Sequence, residues 1–248
     1  MNKVGNNMLK QIRLDKYLAD MGIGTRSELK LWIRKGKVKV NGTICPKPEF
    51  KITIDNDEVC FDGKEIIYQK YMYYMLHKPA GVVSATIDNV NRTVLDLITD
   101  KQGKDLFPVG RLDKDTEGLL LITNDGELAH QLLAPRKHVD KTYYAKVRGE
   151  VTGEDIRAFE AGVNIGEDYI TLPAKLNILK SDFVSEVELT IQEGKFHQVK
   201  RMFEAVGKEV IYLKRMSMGG ISLDPKLAPG EYRLLTEKEI EHLKSNNK

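Results

Sequence analysis

Sulfur and tryptophan are scarce in this chain: its 248 residues include two cysteines and one tryptophan. Cys45 and Cys60 stand fifteen positions apart with no partner pattern around them. That excludes a disulfide framework and a cysteine zinc site, and it fits a reducing cytoplasm. Long apolar runs are missing too. None reaches the roughly 20 residues of a bilayer-spanning helix, and the opening MNKVGNNMLKQ lacks the apolar core of a secretory signal. The first seven residues are aperiodic and read as a loose tail. Without secretion, the Asn41-Gly42-Thr43 and Asn91-Arg92-Thr93 triplets mean nothing as glycosylation sites. There is no repeat, low-complexity tract, heptad or large leftover apolar face. The reading is a cytoplasmic monomer with no membrane attachment.

What is present is the composition of a folded chain, 41% hydrophobic and 30% charged, long enough for one large core or two modest ones. The net charge of +3 hides an asymmetry. Between Leu9 and Lys39, nine Lys/Arg face three Asp/Glu, whereas the rest of the chain holds thirty basic and thirty-three acidic residues. A local basic patch points to a polyanionic partner better than an overall balance does.

The stretch TRSELKLWIRKG predicts a helix marked at both ends. Thr25 and Glu28 have capping-box spacing, and Gly36 can turn left-handed after the last residue. At 100° per residue Leu29, Trp32 and Ile33 share one arc, and Arg26, Lys30 and Arg34 share the next. Upstream, IRLDKYLADMG puts Leu14, Leu18 and Met21 on one helical face, with Arg13 and Lys16 off it. Downstream, VKVNGTI predicts a hairpin turning at Asn41-Gly42, and Asp62-Gly63 marks a second turn. A lone Lys/Arg stripe is commonly a solvated face, but cations converging from two helices and a strand predict nucleic-acid binding. RLDKYLADMGIGTRSELKLWIRKGKVKVNG resembles the S4 RNA-binding domain, a small αα-plus-hairpin module, over residues 9–67. The RNA-facing cations are then Arg13, Lys16, Arg26, Lys30 and Arg34.

Residues 70–248 read as a second, larger domain. Strand-like stretches fall at 71–76, 118–123, 141–148 and 187–191, the last with Val187, Leu189 and Ile191 alternating with Glu188 and Thr190. Helix-like stretches fall at 127–133, 154–161 and 197–206, the last with Val199, Met202, Phe203 and Val206 on one face. A final helix starts at the capping box Thr236–Glu239. Without regular βαβ alternation, the expectation is an α+β domain with a mixed, mainly antiparallel sheet.

Within it, GRLDKDTEGLLLITNDGEL sets five charges ahead of an apolar strand. Asp113-x-Asp115-x-Glu117-Gly118 copies the opening of a calcium loop, but the twelfth position is Asn124 and LLLIT follows directly, so a metal is not expected. Asp113 and Asp115 could share one side of an extended segment as a carboxylate pair, and spacing alone does not separate their roles. Taken on its own, this stretch reads first as a turn whose aspartates cap backbone groups, ahead of both the metal and the carboxylate pair.

The stretch is not on its own. VGRLDKDTEGLLLITNDGELAHQL, KTYYAKVRG and EGKFHQVKRMFEAVG, in this order behind an S4-like module, resemble the pseudouridine synthases that modify ribosomal RNA. The resemblance implies that Asp113 is the essential carboxylate, that Tyr143 lies against the target base, and that Lys195 pairs with Asp113. Many relatives have arginine at the last place; lysine keeps the charge and loses the bidentate fork. Arg111 is placed to brace the gap left when the uridine leaves its stack. His197 reads as a helix-start residue with no assigned chemistry, and Asp115 and Glu117 as turn groups or as supports behind the site residues. APRKHVDKTY and LAPGEYRLLTEKEI look closer to the small-subunit branch than to the large-subunit one. The isomerisation gains and loses no atoms, so no redox cofactor, metal or high-energy donor is demanded. An RNA-binding assembly factor on the same scaffold is the rival reading. Retention of the carboxylate, the aromatic and the cation argues against it.

Overall fold

The computed structural model describes residues 11–54, 56–99, 105–166 and 168–245. The aperiodic tail expected at 1–7 and the first two residues of the expected 9–67 domain lie outside them. The described residues form two compact units, 11–72 with 105, and 73–99 with 106–245. No helix among them is long and apolar enough to cross a membrane.

The first unit runs β1 (Gln11–Arg13), α1 (Leu14–Asp20), α2 (Arg26–Arg34), β2 (Val38–Val40), β3 (Thr43–Ile44), β4 (Lys51–Thr53), β5 (Val59–Phe61) and β6 (Lys64–Glu65). Glu28 accepts the Thr25 amide at 2.9 Å while the Thr25 hydroxyl caps the Glu28 amide, so α2 begins where the sequence marks it. Val40 pairs with Thr43 and Phe61 with Lys64, which leaves Asn41-Gly42 and Asp62-Gly63 as two-residue turns. All four turn residues have positive φ, the requirement of a type I′ hairpin. The expected first helix starts only at Leu14, because residues 11–13 pair with β4 instead. Leu14, Leu18, Leu29, Ile33, Val38 and Ile52 are fully buried together, and each aliphatic side chain so buried contributes about 2 kcal/mol.

On the outside, Arg26, Lys30 and Arg34 are all exposed. Arg13 differs: its guanidinium holds both carboxylate oxygens of Asp15, at 3.0 and 2.9 Å. Lys16 reaches Asp20 one helical turn on, at 3.2 Å.

The second unit contains β7 (Tyr73–Lys78), β8 (Phe107–Pro108), β9 (Glu117–Thr123), α3 (Gly126–Leu133), β10 (Lys141–Arg148), α4 (Gly153–Ala161), β11 (Lys175–Lys180), β12 (Val184–Ile191), α5 (Gln198–Ala205), β13 (Glu209–Met218), β14 (Ile221–Ser222), β15 (Tyr232–Leu234) and α6 (Glu237–Ser245). Their sheet is ordered β11-β12-β10-β13-β9-β7-β15, with β8 on β9 and β14 on β13. Pairing is antiparallel except between β13 and β9, where Lys214 faces Glu117 and Arg215 faces Gly118. The mixed, mainly antiparallel α+β architecture is thus present. Gly118 makes the parallel pair possible. It has φ +105, and a Cβ there would lie 2.2 Å from the Arg215 carbonyl oxygen. One sheet face carries Tyr143, Ala145, Val147, Val187, Leu189 and Ile191, all buried. Phe159 of α4 and Phe203 of α5 are fully buried and meet edge-on.

Candidate active site

The turn between β8 and β9 carries Asp113, and its neighbours fix its backbone. Ser84 clasps Leu112 from both sides: its hydroxyl donates to the Leu112 carbonyl at 2.9 Å and accepts the Leu112 amide at 3.0 Å. Lys78, at the end of β7, is fully buried and donates to the carbonyls of Thr116, Pro79 and Lys114 at 2.8, 3.0 and 3.3 Å. The Gly81 amide donates to the Lys114 carbonyl at 2.7 Å, and the Thr116 amide closes the turn by donating to the Asp113 carbonyl at 3.1 Å. Burial lowers the pKa of Lys78 to about 8, against the opposite pull of Asp115, Asp113 and Glu117. The turn is therefore held at both ends, which leaves the Asp113 carboxylate to project with its side chain 24% exposed.

Tyr143 comes from the middle of β10, flanked by Leu189 and Arg215 on the neighbouring strands. The register against β13 slips between Thr142 and Tyr143, so β13 carries one extra residue there. A bulge of this kind re-aims the side chains beside it. Arg111, Asp113, Tyr143 and Lys195 line one pocket, together with His197 and Gln198. Three distant segments of the sequence are thus brought together around the carboxylate.

The third segment precedes α5. Buried Gln198 accepts the Lys195 amide at 2.9 Å and donates to Glu193 at 2.8 Å. Glu193 in turn accepts from the Tyr169 hydroxyl and from the Leu172 amide. His197 has φ 50, a left-handed conformation, and starts the helix without a side-chain cap. Its Nε2 lies 3.7 Å from Asp113 Oδ1.

The expected pairing of Lys195 with Asp113 needs correction. The Lys195 ammonium sits 4.2 Å above the Tyr169 ring, a cation–π contact. The cation that meets Asp113 is Lys200, at 3.4 Å from Oδ2, and it also holds both oxygens of Asp115 at 2.7 and 2.8 Å. Burial raises the pKa of Asp115, but the hydrogen bonds and charge of Lys200 outweigh that and leave it below the usual carboxylate range. The physical reason for the exchange is helix phase. With α5 beginning at Gln198, Val199, Met202 and Phe203 take the buried face and Lys200 reaches across to the turn. Glu117 accepts from the Tyr212 hydroxyl at 2.7 Å, so all three carboxylates of the calcium-like stretch have protein partners.

Lys78, Ser84 and Lys200 were not singled out by the sequence. Lys78 is the most visible of them, a lysine one histidine beyond the apolar run YMYYML and just before a proline. Ser84 and Lys200 have no local signal at all, since their partners lie 28 and 85 positions away.

Comparison with known proteins points to one family. Residues 72–205 match the family model of RNA pseudouridylate synthase, and residues 12–59 match the S4 domain. An uncharacterized RNA pseudouridine synthase of Bacillus subtilis, YtzG, is 50% identical over 231 residues, 92% of this chain and 97% of that one. Ribosomal small subunit pseudouridine synthase A of Vibrio cholerae is 42% identical, covering 92% of this chain and 98% of its own. Ribosomal large subunit pseudouridine synthase B of Bacillus subtilis is 40% identical, covering 94% and 96%. A carboxylate turn, a tyrosine and a basic helix start around one pocket, within a chain matched over nearly its full length, place this protein in the RNA pseudouridylate synthase family, with an S4 domain ahead of the synthase domain.

Proposed function

We propose that this enzyme converts one uridine of small-subunit ribosomal RNA to pseudouridine, acting as a cytoplasmic monomer. Residues 9–67 hold the RNA backbone, and residues 70–248 carry the chemistry. Asp113 is the essential carboxylate. The reaction breaks the N1–C1′ bond, turns the base, joins C5 to C1′ and moves the C5 proton to N1. A carboxylate serves it as nucleophile or as base. Lys200 stabilises the charge on that carboxylate, Tyr143 gives the loosened base a surface, and Arg111 braces the stack the uridine has left. Lys195 stands on the pocket wall as a further cation for the substrate. Arg26, Lys30 and Arg34 are the S4 cations open to phosphate; Arg13 and Lys16 must first share theirs with Asp15 and Asp20.

One observation carries the assignment: Asp113, Tyr143, Arg111 and Lys195 line the same pocket although they lie up to 84 positions apart in sequence. The choice of small-subunit RNA is supported by the APRKHVDKTY and LAPGEYRLLTEKEI variants. The test is mass mapping of unmodified small-subunit, large-subunit and transfer RNA after incubation with purified protein at equal concentrations. Conversion at one position in the small-subunit RNA is expected. Conversion confined to large-subunit RNA replaces the substrate, and conversion confined to transfer RNA rejects the ribosomal assignment.

A further inference from the structure

Phe196 is 75% exposed, immediately before the residue that contacts Asp113. Its ring lies flat against the His197 imidazole, with centroids 3.8 Å apart and planes 18° off parallel. The imidazole reaches Asp113 at 3.7 Å. The imidazole thus meets the Asp113 carboxylate with its edge and the exposed phenyl ring with its face. The backbone under it is held: Arg201 donates to the Phe196 carbonyl at 3.3 Å, and Gln198 fixes the preceding Lys195 amide. His197 adopts a left-handed conformation that is costly for any residue with a Cβ, and here it presents both rings side by side.

We propose that the Phe196 ring is a stacking platform for the base next to the target uridine, a nucleotide subsite beside the catalytic pocket. The inference rests on RNA uridine being the substrate. When a uridine is drawn out of its stack, the neighbouring base loses a stacking partner on that side. A rigid, exposed aromatic ring at the lip of the pocket replaces it. Every base has a π-face, so such a platform tolerates any neighbour and stabilises the opened state without reading sequence. Lys195 and Arg201, on either side of the ring in sequence, supply positive charge for the phosphates of the same nucleotides. Phe196 acts as a binding and positioning residue and does not touch the reacting atoms.

The test is a cycle on whichever RNA the wild-type enzyme is found to modify, so an error in the ribosomal-subunit assignment alters the substrate and leaves the cycle intact. Phe196→Ala and Phe196→Leu are compared with Phe196→Trp on that RNA, and on the same RNA with an abasic site on either side of the uridine. Phe196→Ala and Phe196→Leu are expected to lower kcat/KM about tenfold or more, and Phe196→Trp to retain it. Removing the flanking base should cost the wild-type enzyme a similar factor, and the two changes together should cost no more than either alone. A 2-aminopurine at the flanking position should be quenched by wild-type protein and not by Phe196→Ala. An unchanged melting temperature checks that the variants fold. If the two losses multiply, or Phe196→Ala loses nothing, or both proteins quench 2-aminopurine equally, the platform is wrong.

Discussion

The Lys200 ammonium lies between two carboxylates, 3.4 Å from Asp113 and 2.7 Å from Asp115, but the two differ in setting. The Asp113 side chain is 24% exposed inside the pocket, whereas that of Asp115 is 71% exposed. Water screens the outer charge and leaves the inner one dependent on its partner. Lys200→Met should therefore lower kcat at least about tenfold, a barrier rise of about 1.4 kcal/mol, while Asp115→Asn costs much less. Single-turnover rates on saturating RNA measure both. Equal losses in the two variants would mean that the pair acts as a turn clamp rather than through Asp113.

Lys78 gives a pH signature. Its folded pKa is about 8, lowered mainly by burial, against 10.5 for an ordinary lysine. Between those values the folded chain has released the proton and the unfolded chain still binds it, so stability rises with pH across this window. Below pH 8 both states are protonated and the rise is absent. Lys78→Met, though less stable overall because three carbonyls lose a donor, should lack up to about 3 kcal/mol of that rise. Urea unfolding of both proteins from pH 7.5 to 10.5 checks it, and parallel curves would rule out the shift.

Gly118 tests the parallel junction. A methyl group there meets Arg215 backbone at 2.2 Å and must sit at φ +105. Gly118→Ala should destabilise the protein by more than about 3 kcal/mol or prevent folding. A melting temperature within a few degrees of wild type would show that β9 and β13 do not approach this closely.

The local grammar of the chain was readable and its long-range phase was not. The type I′ turns at Asn41-Gly42 and Asp62-Gly63, the capping boxes at Thr25 and Thr236, and β10 over Lys141–Arg148 all follow from near neighbours. β13 escaped because EVIYLKRMSM does not alternate cleanly: its register slips opposite Thr142 and again opposite Lys146. β11 escaped for a similar reason, with a slip between Ile178 and Lys180. In the site, the meeting of Asp113 and Tyr143 in one pocket was legible from motifs. Which lysine of KFHQVK meets Asp113 was not, because that depends on the left-handed turn at His197 and on where α5 begins.

The S4 stripe predicts a salt dependence. Arg26, Lys30 and Arg34 are exposed along one strip of α2. If each meets a phosphate, replacing all three with alanine should weaken RNA binding and reduce the log–log salt slope by about 2 to 3. Filter binding or fluorescence anisotropy across a salt series measures it. An unchanged slope would leave the stripe as a solvated face.

Asp113→Asn is the most direct trial of the whole assignment. The replacement is nearly isosteric and removes only the charge, and the turn around it is held by Ser84, Lys78 and Gly81, so folding and RNA affinity should stay close to wild type. The measurement is pseudouridine formed per enzyme on the RNA that the wild-type protein modifies, quantified by mass spectrometry. A drop of at least about a hundredfold, equivalent to about 2.7 kcal/mol in the barrier, is expected. Turnover by Asp113→Asn at more than a few per cent of wild type would contradict Asp113 as the essential carboxylate.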